Sequence, residues 1–257
     1  MEALYGIMLP FLGTSLGAAG VFFMRGRFSG QLRRALSGFA AGVMVAASVW
    51  SLLIPAIEQA EYMGIWSFVP AVAGFWMGVL LLLGLDSLVS RLYMRRENGA
   101  PERRLRRTAM LVLAVTLHNI PEGLAVGVAY AGYLSEGAAI SAARALALSL
   151  GVAIQNLPEG AIIALPLRAE GSGRTAAFAG GVLSGVVEPI GAGLTLLAAR
   201  LILPALPYLL GLAAGAMLHV VASELIPEAT DGRASRVGAL AFAAGFSAMM
   251  LLDVALG

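Results

Sequence analysis

Long apolar runs, each close to twenty residues, are the feature of this chain that most restricts how it can fold. An α-helix of about that length is what crosses the hydrocarbon core of a bilayer, which is roughly 30 Å thick. The chain of 257 residues is 59% hydrophobic and 12% charged, whereas a soluble domain carries about 25% charged residues. The runs therefore predict an all-α polytopic membrane protein that forms a single transmembrane domain over residues 1–257.

Arginine-bearing or Gly/Pro-containing segments separate the runs and predict eight transmembrane helices. The expected spans are about 3–24, 35–57, 66–90, 108–130, 141–166, 175–199, 204–227 and 236–256. The polar stretch between the third and fourth spans, about residues 91–107, is predicted to be an Arg-rich cytoplasmic loop.

The distribution of arginine predicts how the helices are oriented. All 17 basic residues are arginine, and 15 of them fall in loops on one side of the predicted spans. The positive-inside rule places that side in the cytoplasm and both termini outside it. The expected location is the cell membrane (inner or plasma membrane). Because topology accounts for the basic charge, the lipid bilayer is a predicted partner and nucleic acid is not. The chain has no cysteine, which excludes thiolate chemistry and disulfides.

A six-residue word occurs twice inside these apolar runs, as HNIPEG at 118–123 and as QNLPEG at 155–160. Both copies fall near the bilayer midplane, where each charge costs about 2.5–3.5 kcal/mol on insertion scales. Residues three or four apart share one face of a helix. Each word therefore points a carboxylate and two imidazole or amide groups the same way: His118, Asn119 and Glu122 in the first, Gln155, Asn156 and Glu159 in the second.

The prolines add further candidate ligands to the two words. Pro121 and Pro158 have no N–H, so the carbonyls of Leu117 and Ile154 lose a helical hydrogen bond and become available to a cation. A third midplane acid, Glu188, follows in the sixth span as GVVEPIGAG.

The predicted cluster holds three carboxylates, one imidazole and three amides, and it contains no Lys and no Arg. A divalent cation is the obvious counter-charge, and oxygen-rich ligation with a single imidazole suits Zn²⁺, Fe²⁺ or Mn²⁺. The number of donors allows two metals bridged by Glu122 and Glu159.

These motifs carry a family resemblance. HNIPEG, QNLPEG, SGVVEPIGA and AAGAMLHVVASELIPEA, with LLIPAIEQAE in the second span, resemble the ZIP (Zrt/Irt-like) divalent metal transporters, in particular the bacterial GufA-like branch. The resemblance covers nearly the whole chain. It implies eight helices in a 3+2+3 arrangement, with an inverted repeat of helices 1–3 and 6–8. It also implies transport of divalent metal into the cytoplasm, mostly Zn²⁺, with Fe²⁺, Mn²⁺ and Cd²⁺ as other candidates.

The resemblance also implies a binuclear site with two overlapping ligand sets. One metal would be held by His118, Glu122, Gln155 and Glu159, and the second by Asn119, Glu122, Asn156, Glu159 and Glu188. Some family members have histidine in place of Gln155 or aspartate in place of Asn156. The site of this chain is less charged than the site of those members.

Further polar residues predict a path on either side of the midplane. Glu58 and Glu61 are expected to collect cations outside, and the cytoplasmic half of the path is expected to be lined by His219, Ser223, Glu224 and Glu228. Glycine pairs with four-residue spacing, such as Gly123/Gly127 and Gly211/Gly215, would let a block of helices that holds the metal move against its neighbours. Such movement is alternating access.

Two other functions remain open at this stage. A metal-selective channel could use the same ligands. An intramembrane metalloenzyme is disfavoured, because the H-E-x-x-H motif of zinc proteases and the paired Glu-x-x-His of di-iron proteins are absent from the sequence. The chain is therefore predicted not to be an enzyme. The sequence leaves homodimerisation open.

Overall fold

The structure is a computed structural model that describes residues 2–23, 29–94, 116, 119–135, 140–169, 171–199, 203–230 and 236–256. Three sequence predictions lie outside these residues: the ligand His118, the candidate carbonyl ligand of Leu117, and most of the Arg-rich loop at about 91–107. The described residues contain helices and turns but no strand, which confirms the all-α class.

Eight helical segments follow one another along the described chain, and they are numbered here in that order. They are α1 (Glu2–Phe23), α2 (Gly30–Glu58), α3 (Phe68–Met94), α4 (residues 119–133), α5 (Ala142–Ala169), α6 (Arg174–Leu197), α7 (Leu203–Thr230) and α8 (Arg236–Leu256). Seven of them, all except α4, are long and apolar enough within the described residues to cross a membrane. The chain is thus a multi-pass membrane protein, and the count of eight spans stays a prediction.

The helix ends differ from the predicted spans by a few residues, for local reasons. Helix α2 begins at Gly30, five residues before the predicted start, because the Ser29 hydroxyl accepts a hydrogen bond of 3.1 Å from the Leu32 N–H and caps the helix. A 3-10 turn, Glu61–Trp66, precedes α3 and contains Gly64 at φ 60°. This left-handed conformation suits glycine, and α3 therefore begins only at Phe68.

Helices α2 and α7 share a local distortion just before an Ile-Pro pair. The helix widens to a π turn at Ser48–Leu53 in α2 and at Val221–Leu225 in α7. The next amide, of Ile54 or Ile226, donates five residues back along its chain. The following proline cannot donate a backbone hydrogen bond, and π turns of this kind are frequent at functional sites. The shared distortion agrees with the predicted inverted repeat but does not establish the 3+2+3 arrangement.

The helices pack as two groups. Helix α1 lies along α5 and α6, and Gly123 and Gly127 of α4 press against the backbone of α6. These four helices form the first group. In the second group, α2 lies along α8, and α3 lies along α7, which also contacts α2. Between the groups, α5 contacts α2 and α8, and buried apolar residues of α4 such as Val126 belong to the same core cluster as those of α2 and α7.

The surface of the described helices suits lipid rather than water. Side chains on the outer faces of α3 and α8 are large, apolar and mostly exposed, including Trp76, Leu80, Leu240 and Val254. Large exposed apolar patches are rare on soluble monomers. The polar side chains discussed next lie instead among the buried residues.

Candidate metal centre

Six of the seven predicted metal ligands lie on described helices, and all six are buried. Asn119 and Glu122 lie in the first turns of α4, Gln155, Asn156 and Glu159 lie midway along α5, and Glu188 lies in α6. Glu159 is 7% exposed and the other five are fully buried. Buried carboxylates and amides away from water need partners or a bound ion, so their contacts decide what this cluster can do.

Amide groups hold two of the three carboxylates by one oxygen each. The Gln155 Nε2 donates to Glu122 Oε1 at 2.6 Å and joins α5 to α4. The Asn119 Nδ2 donates to Glu188 Oε1 at 2.9 Å and joins α4 to α6. These two hydrogen bonds connect residues of both copies of the repeated word with the acid of the sixth helix.

A local irregularity in α6 lies just before Glu188. Val186 keeps right-handed helical dihedrals (φ −60°, ψ −26°), but its N–H donates to the Leu183 carbonyl at 3.3 Å, three rather than four residues back. The Asn119 Nδ2 also lies within hydrogen-bond distance of the carbonyl oxygen of Ser184, at 3.1 Å. By contrast, α5 runs through Pro158 without interruption. Pro189 thus follows a local change of hydrogen bonding in α6, whereas Pro158 lies in an uninterrupted stretch of α5.

The cluster leaves six buried side-chain oxygens without a hydrogen-bond partner among the described residues. They are Asn119 Oδ1, Glu122 Oε2, Gln155 Oε1, Asn156 Oδ1, Glu159 Oε2 and Glu188 Oε2. More than 90% of buried polar groups in proteins are hydrogen-bonded. Six orphaned acceptors in one cluster are the donor set that a hard or borderline divalent cation requires.

The charges of the cluster lead to the same conclusion. Glu122 is close enough to Glu159 and Glu188 to interact with both electrostatically. Among the described residues, no arginine pairs with any of these acids. Buried like charges repel one another strongly in a medium of low dielectric, so a cation is needed to hold all three in the ionised form.

Acidic groups alone do not complete a metal site here. Among the described residues, no three His, Cys, Asp or Glu side chains lie close enough together to hold an ion. The ligands of one ion would therefore combine carboxylates with the orphaned amide oxygens, and the predicted imidazole of His118 lies outside the described part of the chain.

Comparison with known proteins decides the family. A family model described as ZIP Zinc transporter matches residues 95–253, which is more than half of the chain. The chain belongs to the ZIP zinc transporter family. This ZIP protein is 39% identical to the zinc transporter ZIPB of Bordetella bronchiseptica over 99% of the chain and 81% of that protein. It is 35% identical to zinc transporter ZIP11 of Xenopus tropicalis, over 100% of the chain and 98% of that protein.

The GufA branch is represented as well. The zinc transporter GufA of Myxococcus xanthus is 34% identical over 81% of the chain and 81% of its own length. The family and these relatives are metal transporters and not enzymes, which confirms the prediction that the chain is not an enzyme.

The structure relates the predicted cytoplasmic path of this ZIP protein to the cluster through one residue. Glu224, in the π turn of α7, is close enough to Glu159 to interact electrostatically. The hydroxyl of Ser223 donates to the carbonyl of His219 at 2.8 Å. Glu228 is bound to α2 instead, through Ser37 Oγ at 2.7 Å and Arg33 Nε at 3.6 Å.

The two acids predicted to collect cations outside, Glu58 and Glu61, differ in their surroundings. Glu61 is exposed in the 3-10 turn before α3. Glu58 Oε2 forms an ion pair of 2.5 Å with Arg144 Nη1 of α5. The sequence prediction did not foresee this partner.

Sequence reasoning also missed Thr14. Its hydroxyl donates to Glu188 Oε1 at 2.9 Å, and its side chain is fully buried in α1. The hydroxyl pair Thr14-Ser15 within a largely apolar span is the signal in the sequence that could have indicated it. The Asn156 Nδ2 approaches the same helix, at 3.4 Å from the carbonyl oxygen of Pro10, so α1 supports the cluster from behind.

Proposed function

We propose that this ZIP protein carries divalent metal, Zn²⁺ first and Fe²⁺, Mn²⁺ or Cd²⁺ as other candidates, across the inner membrane into the cytoplasm. The observation that supports this function is the set of six partnerless buried oxygens contributed by α4, α5 and α6. Membership of the ZIP zinc transporter family supports divalent metal as the transported species. The arginine-rich loops support an orientation with both termini outside.

The cluster is a binuclear site in this proposal. His118, Glu122, Gln155 and Glu159 hold one ion, and the second is held by Asn119, Glu122, Asn156, Glu159 and Glu188. Three carboxylates carry three negative charges, so one divalent ion leaves the site at −1 and two leave it at +1. Either occupancy is near neutrality, which is what a site in a low-dielectric medium needs.

Transport is by alternating access, with the first helix group carrying the metal past the second. The first group contains every described ligand on α4, α5 and α6, together with the supporting helix α1. Its helices touch backbone to backbone at glycines, so they suit movement as one body. Glu224 belongs to the second group and faces Glu159 of the first. It is therefore placed to receive an ion released toward the cytoplasm.

Zinc uptake into proteoliposomes tests this function through Glu122. The Glu122→Gln substitution keeps the shape of the side chain but removes the charge that bridges both ions. Since even weakening the support of a metal ligand costs about 10- to 100-fold in affinity or activity, we expect uptake to fall by more than about tenfold.

The matched control is Ser149→Ala, which removes another buried polar group of α5. The Ser149 hydroxyl donates only to the Ala145 carbonyl of its own helix, at 3.0 Å, so this variant should transport like the wild type. Equal uptake by Glu122→Gln and wild type would overturn the assigned site. No uptake by a correctly folded wild type would overturn the function itself.

A further inference from the structure

Three helices bring charged groups together at the end of the molecule that holds Glu58. Glu58 ends α2, Arg144 lies in the first turn of α5, and Asp253 lies near the end of α8. Arg144 Nη1 and Glu58 Oε2 are 2.5 Å apart. The hydroxyl of Ser51 donates to Asp253 Oδ1 at 2.8 Å. Asp253 is 7% exposed, and its Oδ2 has no hydrogen-bond partner among the described residues.

Arg144 is held in place although its position in the helix is unfavourable. A positive charge in the first turn of a helix opposes the helix dipole. The Arg144 N–H donates to the Ser141 hydroxyl at 3.1 Å, which fixes the turn. Arg144 also lies close enough to Asp253 to interact with it electrostatically. Its guanidinium therefore interacts with carboxylates on two other helices, those of Glu58 and Asp253.

These contacts cross from one helix group to the other. Arg144 belongs to α5 of the first group, which carries the proposed metal ligands, whereas Glu58 and Asp253 belong to α2 and α8 of the second. The ion pair at the opposite end, between Arg33 and Glu228, joins α2 to α7 and stays within the second group. The Arg144–Glu58 pair is thus the described ion pair that relative movement of the two groups must break.

We propose that Arg144 is a gating residue that bonds Glu58 across the group boundary and must release it before a cation can pass from outside. The proposal rests on the proposed transport function. The guanidinium is a tethered monovalent cation, and an incoming divalent ion, with twice the charge, competes with it for the same carboxylate.

The solvent exposure of the ion pair suits a contact that opens and closes during transport rather than a permanent one. The side chains of Arg144 and Glu58 are 37% and 40% exposed, and exposed ion pairs contribute little because water and salt screen them. Such a pair biases the closed state by about two- to fivefold, which an arriving ion can reverse. A fully buried pair would be far more costly to open.

The Arg144→Gln substitution tests the gate by two measurements on reconstituted protein. In zinc uptake, removal of the competing cation should lower KM by about two- to fivefold without lowering the maximal rate. The double variant Arg144→Glu/Glu58→Arg restores an ion pair of reversed polarity and should return KM toward the wild-type value. Arg168→Gln, at the other end of α5 and exposed, is the charge-matched control.

The second measurement does not depend on transport. Because the native chain has no cysteine, Ser51→Cys introduces a single thiol behind the gate. A membrane-impermeant thiol reagent added outside should label Ser51→Cys/Arg144→Gln about two- to fivefold faster than Ser51→Cys alone.

The outcomes separate the gate from the transport function. Unchanged KM and unchanged labelling in Arg144→Gln, or the same changes in Arg168→Gln, would overturn the gate even if the wild type transports zinc. Faster labelling of Ser51→Cys/Arg144→Gln than of Ser51→Cys, together with a wild type that moves no metal, would support the gate and overturn the proposed function.

Discussion

At the scale of single residues, the cluster uses neutral donors to hold carboxylates by one oxygen and leave the other open. Gln155 holds Glu122 in this way, and Asn119 and Thr14 hold Glu188. Each open oxygen is then fixed in position before any ion arrives. Such positioning lowers the entropy cost of assembling a metal site, so the donors matter although they are not all ligands.

Loss of the Thr14 hydroxyl tests this view. Thr14→Val removes the hydrogen bond to Glu188 while keeping the side-chain volume, and we expect zinc affinity to fall by about tenfold, the lower end of the range for groups that support a metal ligand. Zinc titration of purified protein measures it. Thr14→Ser keeps a hydroxyl and should retain affinity.

Thr195→Val provides the control for that titration. Thr195 is also a nearly buried threonine, in α6, but its hydroxyl donates to the Gly191 carbonyl of its own helix at 2.8 Å. This variant should bind zinc like the wild type. A weakened Thr195→Val, or a weakened Thr14→Ser, would show that packing rather than the hydrogen bond sets the affinity.

The sequence indicated the described cluster members but not their supports. The repeated word, at fixed helical spacing, was enough to predict Asn119, Glu122, Gln155 and Asn156 on one shared cluster. Thr14 lies 174 residues from Glu188, and no local pattern predicts a contact over that separation. The same limit applies to Arg144 and Glu58, whose pairing depends on how α2 and α5 pack.

At the scale of helices, glycine allows the first helix group to pack backbone against backbone. A Cβ at Gly17 of α1 would overlap the carbonyl oxygen of Leu157 in α5, and a Cβ at Gly160 of α5 would overlap that of Thr14. With one glycine on each helix, α1 and α5 can pack backbone against backbone next to the cluster. Close approach of this kind replaces the hydrophobic effect as the force between helices in lipid.

Gly17→Val should destabilise the protein, because the new side chain meets backbone that cannot move aside. Overpacking of this kind costs about 1–3 kcal/mol, measured as a lower thermal unfolding temperature in detergent. Gly20→Val is the control in the same helix, since no described atom lies within 4 Å of its Cβ position. At position 20 valine has a higher helix propensity than glycine, so the unfolding temperature of this variant should not fall. Equal losses in both variants would contradict the seam.

Helix existence was predictable from the sequence, and helix detail was not. Apolar length alone predicted the seven described helices that are long and apolar enough to cross a membrane. The π turns at Ser48–Leu53 and Val221–Leu225 and the irregular hydrogen bonding of α6 at Val186 escaped prediction. Each accompanies a proline, but Pro158 lies in an unbroken helix. Whether a proline distorts its helix also depends on what neighbouring helices contact there, as Asn119 of α4 contacts the Ser184 carbonyl in α6.

At the scale of the whole molecule, the described contacts divide the helices into one group that contains the cluster and one that faces it. The Arg33–Glu228 ion pair and the glycines that meet neighbouring backbone lie within the groups, whereas the Arg144–Glu58 pair and the contact of Gly151 of α5 with the Met249 side chain of α8 cross between them. This division matches what a carrier requires, a rigid site and a boundary along which it moves. It depends on long-range packing, which periodicity and charge in the sequence do not reveal.

The account depends on a divalent cation sitting among the buried acids, and anomalous diffraction at the zinc absorption edge from zinc-soaked crystals tests this most directly. We expect an anomalous peak at about 2.0–2.2 Å from carboxylate oxygens of Glu122 and Glu159, the usual Zn–O distance. Zinc found only on exposed side chains, with no peak beside α4, α5 and α6, would contradict the account.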